Sequence, residues 1–259
     1  MKNSLVNVNQ RRETIINYLY HQDDLSMSVN DLSGIMGVSS MTIRRDLDIL
    51  EKMGKIIRNH GGATINTQQK NEGDTENKSL ELIKQNIAKQ AARYVKDGMT
   101  LFINSSSTAL RAFDYLEDRI LTLVTNNLRV DRNNVHLNTN IILPGGEIRF
   151  PKKALVGDLC VTNLSVIQSD IAIIGCSGLS AEKGISTNNI HEHRVNKVMI
   201  ENTNDLVILV CDYRKIGNDS TFMVADITSV DILITDEYAN PKALKAIEDK
   251  GVTIVQVNA

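Results

Sequence analysis

Two groups of residues in this sequence have types and spacings that suit chemistry. The first is Ser39, Ser40, Met41, Thr42, Arg44, Arg45, Lys52, Lys55, Arg58 and His60, all within one short stretch. Arginine pairs bidentately with guanine edges and, like lysine, neutralises phosphates, so this group suits a nucleic-acid duplex. The second group is scattered and polar: Asn104, Ser105, Ser106, Ser107 and Thr108, then Thr125 and Asn126, Gly145 and Gly146, Gly178, and Asp212 with Lys215. Hydroxyls beside free backbone N–H groups at the start of a helix make an anion pocket, suited to phosphate. Asp212 and Lys215 put an acid and a base three residues apart.

The first group needs a helix to carry it. Gly37-Val38 breaks an apolar segment, and Ser39 or Ser40 can cap a new helix. Ile43, Leu47 and Leu50 then fall at i, i+4 and i+7, one buried stripe. At about 100° per residue, Met41, Arg44, Arg45, Asp48 and Lys52 project from the other side. Val29, Leu32, Ile35 and Met36 form the apolar face of a shorter helix upstream, and Ile15, Ile16 and Leu19 give a third wall on a helix from about Asn9 to Tyr20. Three short helices with a tight turn between the second and third make a helix-turn-helix. In that motif the start of the last helix meets base edges.

Gly54 stands where a glycine ends a helix. Lys55 to Arg58 reads as a strand and Gly61-Gly62 as a turn, which together make a wing that brings Arg58 and His60 near a DNA backbone. A charged helix face alone is most often just solvated. Cap, arginine pair, glycine stop and Gly-Gly turn in register argue for the DNA-binding reading instead.

The chain has 259 residues, far more than a winged helix needs, so a second domain of ordinary size must follow. A net charge of −2 argues against nonspecific coating of polyanions. Local potential sets phosphate contacts, and Arg44, Arg45, Lys52, Lys55 and Arg58 are close together. Three cysteines, Cys160, Cys176 and Cys211, form no metal-spaced pair, and no metal or cofactor is expected. An odd cysteine count and no signal-peptide pattern point to a reducing cytoplasm. No apolar run approaches the ~18 residues of a membrane span.

Residues 1–63 are expected to form the winged helix-turn-helix, 64–78 a polar linker with one large apolar residue, and 79–259 an α/β domain. After a helix from Leu80 to Lys96, apolar runs of strand length follow at Met99–Ile103, Leu121–Thr125, Ile141–Leu143, Ile171–Ile174, Leu206–Val210, Ile232–Ile234 and Val252–Val255. Helical stretches separate several of them, among them Leu155–Ile167, His191–Glu201 and Pro241–Lys250. This alternation predicts a doubly wound, mostly parallel sheet covered on both faces. Ligands sit beyond the carboxyl ends of such strands, which is where the second group of residues falls.

The run Val-Ser-x-x-Thr-Ile-Arg-Arg-Asp-Leu from Val38 to Leu47, followed by Arg58-Asn-His-Gly-Gly-Ala63, resembles the N-terminal domain of DeoR-family bacterial transcriptional regulators. From about Ile83 to Glu237 the chain also resembles that family's effector domain, which is similar in fold to ribose-5-phosphate isomerase. The pieces are Thr125-Asn126, Gly145-Gly146, Leu155-Val-Gly157, Gly175 with Gly178, Asp212-x-x-Lys215 and Leu233-Ile-Thr-Asp236. The resemblance implies a phosphorylated sugar as ligand, with its phosphate on the hydroxyl loop and its hydroxyl or carbonyl end at Asp212 and Lys215. It adds Glu192 and Arg194 to the candidate site.

Several positions depart from the family pattern, the loop glycine among them. Asp-Ser-Gly-Thr-Thr is here Asn104-Ser-Ser-Ser-Thr108, and Glu-x-Glu-Val-Lys is here Glu192-His-Arg-Val-Asn196. Relative to that pattern, an acid becomes an amide at 104 and an arginine at 194, and a lysine becomes an amide at 196. Either the pocket is retuned toward a more anionic or differently oriented ligand, or Arg194 is a surface side chain and the pocket has drifted or lost its ligand.

The expectation is a sequence-specific regulator, a repressor of a sugar-catabolic operon, that binds double-stranded operator DNA as a homodimer or homotetramer and is relieved by a phosphorylated sugar. The alternative is a sugar-phosphate isomerase-like enzyme with a fused DNA-binding arm. In that case Asp212, Lys215 and Glu192 would move protons, which Asn104 and the missing loop glycine argue against.

Overall fold

The structure is a computed structural model that describes residues 11–12, 14–16, 18–19, 26–59, 61–65, 73–131, 136–150 and 152–259, with only the backbone at 65 and 73–78. Two compact units emerge, Met1–Lys78 and Ser79–Ala259.

In the first unit, strand β1 (Ser26–Ser28) leads into α1 (Val29–Met36), then α2 (Ser40–Lys52), β2 (Ile56–Asn59) and β3 (Gly62–Ile65). Ser28 caps α1 by accepting from the Asp31 N–H, and Gly37 ends it in the left-handed region at φ 61°. Ser39 caps α2 through the Thr42 N–H. The predicted stripe of Ile43, Leu47 and Leu50 is buried with Ile15, Leu19, Val29, Leu32, Ile56 and Ala63. Each fully buried aliphatic side chain contributes about 1.5–3 kcal/mol, so this small core is what fixes α2 in place. Residues 11–12, 14–16 and 18–19 are helical, and the rest of the expected first helix lies outside the described residues.

The wing has a third strand. β1 lies just before the helix of Val29 to Met36, and it pairs antiparallel with β3, whose other edge pairs with β2. The two turn glycines therefore have different jobs. Gly61 takes φ 96°, whereas a Cβ on Gly62 would stand 2.2 Å from the Met27 carbonyl oxygen, so β1 can approach only a glycine. The expected linker is structured at both ends: Thr64 and Ile65 continue β3, and helix α3 (Gly73–Ala92) begins before residue 78.

The second unit is built on seven strands: β4 (Thr100–Ile103), β5 (Thr122–Thr125), β6 (Asn140–Ile142), β9 (Ser169–Gly175), β12 (Thr203–Val210), β14 (Ile232–Asp236) and β15 (Thr253–Val257). All seven predicted apolar runs are here, every pairing is parallel, and the order is β15-β14-β12-β9-β4-β5-β6. Alternate residues serve opposite faces: Phe102 joins one core cluster with Val124, Ile174 and Leu209, while Leu101 and Ile103 join another with Ile171, Ile173 and Ile208. Helix α3 covers the second cluster through Ile83, Ile87 and Ala91, and Val195 and Met199 of α6 (Ile190–Glu201) cover the first.

Two features were not foreseen. Leu155 and Val156 lie in β8 (Ala154–Val156), which forms a hairpin with β7 (Glu147–Arg149). Helix α5 starts only at Asp158, after Gly157 at φ 89°. A second sheet, β10 (Gly178–Ser180), β11 (Gly184–Thr187) and β13 (Phe222–Ala225), is antiparallel. Its strands are too short, and β10 and β11 too rich in glycine and serine, to show an apolar run.

Candidate functional site

Ser39, Met41, Arg44, Arg45, Lys52 and Lys55 are exposed, and Ser40 and Thr42 partly so. Met41, Arg44, Arg45 and Lys52 share the face of α2 opposite its buried stripe, as the spacing predicted, and Lys55 follows the helix end. Met41, the most protruding large apolar side chain there, is 62% exposed. Asp46 within the arginine motif turns inward. It is 2% exposed and accepts from Arg11 Nε at 2.6 Å and Arg12 Nε at 2.9 Å, tying the first helix to α2.

Arg58, expected near phosphate, is already engaged within the protein. Its guanidinium is ion-paired with Asp48 on α2, and its backbone N–H donates to Glu51. Arg58 thus cancels the one acid on the projecting stripe and fastens β2 to α2. His60 lies outside the described residues.

In the second unit the sheet order turns at β4 and β9: the chain winds one way through β5 and β6, and the other through β12, β14 and β15. The loops leaving β4 and β9 diverge there, which opens a crevice at the carboxyl edge. A cavity of about 360 Å³ lies at this point. Its walls include Asn104–Thr108 after β4, Gly175–Ser177 after β9, Thr187 and Asn188 after β11, Glu192 and Asn196 of α6, and Cys211, Asp212, Arg214 and Lys215 after β12. Lys84 of α3, Arg129 and Lys152 complete it.

Five cations therefore line the cavity with two carboxylates; Lys84 is paired to Glu81 outside the wall at 2.8 Å, and each wall carboxylate is also engaged. Glu192 accepts from Lys152 Nζ at 2.8 Å, and Asp212 takes Arg214 Nε at 2.7 Å and Nη2 at 3.0 Å. Burial raises the Asp212 carboxyl, but the hydrogen bonds and charge of Arg214 outweigh it and leave the group below its ordinary range. The local balance is cationic. Helix α4 (Ser107–Arg111), which opens from the hydroxyl loop, has only five residues, so its dipole adds little. Hydroxyls and side-chain cations, rather than a helix dipole, are what this cavity offers an anion.

Asn104 is 1% exposed and fully used. Its Nδ2 donates to Gly175 O at 2.8 Å and Asn196 Oδ1 at 3.1 Å, and its Oδ1 accepts from the N–H groups of Gly175 at 3.0 Å and Ser106 at 3.2 Å. It buckles β4 to β9 across the point where the winding reverses. Asn104 and Asn196, two of the departures from the family pattern, are one hydrogen-bonded pair. A further departure, Ser106 in place of glycine, is accommodated as well. Ser106 has φ −68°, which any residue adopts, and a Cβ on Gly175 would meet its Oγ at 2.0 Å. The glycine at 175 is what leaves room for the Ser106 side chain.

Six expected positions are not in the cavity wall. Arg194 points outward, its side chain 60% exposed and ion-paired to Asp158 at 2.5 Å, so the surface-residue reading holds for it. Thr125 and Asn126 follow β5, one strand away from the turning point. Thr125 accepts from the Asn127 N–H, and Asn126 locks onto β8 through Leu155 O at 2.9 Å. Gly145 and Gly146 take φ 77° and 111°, and a Cβ on Gly146 would meet Val156 O at 2.4 Å. Gly178 is likewise held against Asn218 O. These are packing requirements. Of the wall residues not named beforehand, Lys84, Arg129, Lys152 and Asn188 come from elements that the strand-end reading did not inspect, whereas Arg214 lies in the inspected turn between Asp212 and Lys215.

Residues 11–69 match the DeoR-like helix-turn-helix domain, and residues 81–237 match the DeoR C terminal sensor domain. An uncharacterized HTH-type transcriptional regulator, YulB, of Bacillus subtilis is 34% identical over 236 residues, covering 90% of this chain and 91% of that protein. The glycerol-3-phosphate regulon repressor of Escherichia coli is 31% identical over 248 residues, covering 95% and 97%. Among solved structures, ribose 5-phosphate isomerase A from Methanocaldococcus jannaschii aligns at TM-score 0.38 with 19% identity, covering 52% of this chain and 54% of that one.

Proposed function

The chain belongs to the DeoR family of DNA-binding transcriptional regulators, and on that premise we propose that it represses a sugar-catabolic operon until a phosphorylated sugar occupies the cavity at the turning point of its sheet. Helix α2 enters the major groove, with Ser40, Met41, Thr42, Arg44 and Arg45 at the bases and Lys52 and Lys55 on phosphates. The protein acts in the cytoplasm as a homodimer or homotetramer, since paired half-sites double a modest footprint.

The observation that carries the ligand class is the cavity's charge: five cations, two carboxylates already paired, and a run of hydroxyls from Ser105 to Thr108. A relative named as the glycerol-3-phosphate regulon repressor supports a phosphorylated metabolite. The ligand must bind the DNA-competent and incompetent states unequally, otherwise it switches nothing. The isomerase reading is not favoured. Asp212 and Glu192 are held by Arg214 and Lys152 rather than poised as bases, and the relatives are named as regulators.

Recovering the genomic fragments bound by the full chain gives the operator, and a panel of sugar phosphates then tests release from it. Release by at least one phosphorylated sugar and none by its unphosphorylated form is the expected result. Calorimetry that detects binding of no sugar phosphate would refute the ligand class, and turnover of ribose 5-phosphate would restore the enzyme reading.

A further inference from the structure

Gly175 of β9 and Val210 of β12 are register partners on adjacent parallel strands. The next residue on each is a cysteine, so Cys176 and Cys211 leave the sheet side by side at its carboxyl edge. Neighbouring strands run about 4.8 Å apart, and disulfides join Cα atoms about 4.4–6.8 Å apart. Both cysteines line the cavity. Cys211 is 3% exposed within the core, and Cys176 packs against it while remaining half-buried. The neighbouring Cys176 thiol, and after it burial, hold the Cys211 thiol well above the usual range. Cys160 is different: it is fully buried, lies outside the cavity wall, donates to Leu155 O, and is pushed up to about 11 by burial.

We propose that Cys176 and Cys211 close into a reversible disulfide when the protein meets a peroxide, which makes the cavity wall a redox-modification site beside the ligand site. Cys176, the more accessible thiol, reacts first. Its sulfur attacks one peroxide oxygen, the O–O bond breaks, and the departing hydroxide leaves as water with the thiol's proton. The Cys211 sulfur then attacks the sulfenic sulfur, the S–O bond breaks, and the Cys211 proton leaves with that hydroxide as a second water. Two thiols lose two electrons and the peroxide becomes two waters; a dithiol reductant reverses the change. The bond ties Ser177 and Asp212, which follow the two cysteines, into a narrower wall. Its effect on binding rests on the ligand reading given above, whereas the bond itself does not.

The test treats the full chain under native conditions with hydrogen peroxide, then alkylates it in denaturant and measures intact mass and peptides. The expected result is a loss of two hydrogens, one remaining alkylatable thiol at Cys160, a Cys176–Cys211 cross-linked peptide, and full reversal by dithiothreitol. Cys160→Ser should cross-link as before, while Cys176→Ser and Cys211→Ser should each fail to do so; the less buried Cys176 position keeps the test valid if Cys211→Ser misfolds. Oxidation of Cys176 to sulfinic acid without a cross-link, or a cross-link through Cys160, overturns the proposal. Affinity for ribose 5-phosphate and inorganic phosphate, measured on both forms, should fall by roughly fivefold or more on oxidation. A cross-linked protein with unchanged affinity overturns the placement of the bond in the ligand wall. Absence of binding to the reduced form counts against the ligand reading and leaves the mass measurement to decide the pair.

Discussion

Arg58 on the wing is ion-paired with Asp48 on the recognition helix. The wing and the helix are thereby one electrostatic unit, and an acid that would face phosphates is neutralised from within the protein. Arg58→Ala should weaken operator binding by about 1 kcal/mol, the scale of one unscreened contact charge in water. Asp48→Ala in the same chain should restore most of the loss. If Arg58 instead contacts phosphate directly, the double variant stays weak and the salt slope falls by about one unit.

Arg44 and Arg45 are exposed at the front of α2. Arg44→Ala or Arg45→Ala should cost about 1–3 kcal/mol on the operator, and less on unrelated DNA, for an arginine that meets a base bidentately. Lys55→Ala should weaken all sequences alike. Equal, sequence-independent losses from all three would mean that the helix positions the protein without reading bases.

Asn104 and Asn196 share a hydrogen bond in a nearly dry site. Asn104→Asp replaces a double donor with an anion set against Gly175 O and Asn196 Oδ1, and should destabilise the second unit by about 1–3 kcal/mol. Adding Asn196→Lys should recover a large part of that loss through a new ion pair. Urea denaturation of the four variants measures the coupling, and strictly additive effects would show that the two positions are independent.

Arg194 faces solvent with Asp158. Arg194→Glu should therefore leave the preference between sugar monophosphates and bisphosphates unchanged in a calorimetric titration. A shift in that preference would bring Arg194 back into the ligand site.

Asp212 is a carboxylate held below its ordinary value of 3.8 by Arg214. A depressed acid contributes stability that is fully present above its unfolded value and lost as pH falls through the folded one. Wild type and Asp212→Asn should therefore differ in stability by a constant amount above pH 3.8 and converge below it. Thermal melts across that range measure the difference. Convergence well above pH 3.8 would show that the Arg214 pairing does not hold in solution.

The arm was legible because its signals are local. Ser39, the Ile43–Leu47–Leu50 stripe and Gly54 each act within one or two turns of chain, and all three perform in the structure the roles their spacing predicts. Arg58 is the exception. A positive charge on a wing suggests phosphate, and only the approach of β2 to α2 shows that Asp48 takes it first.

For the second unit, the sequence by itself determined seven apolar strands, their separation by helices and the polar residues at their ends, because burial on both faces leaves a continuous apolar run. It could not determine which strand ends meet. Thr125, Asn126, Gly145 and Gly146 follow strands as faithfully as Asn104 and Asp212 do, yet the order β12-β9-β4-β5-β6 puts them on the far side of the turning point. Strand order depends on hydrogen bonds between segments dozens of residues apart, and no residue records its distant partner in its own neighbourhood. Tertiary pairing alone joined Asn104 to Asn196, brought Cys176 beside Cys211, and turned Arg194 away from the cavity.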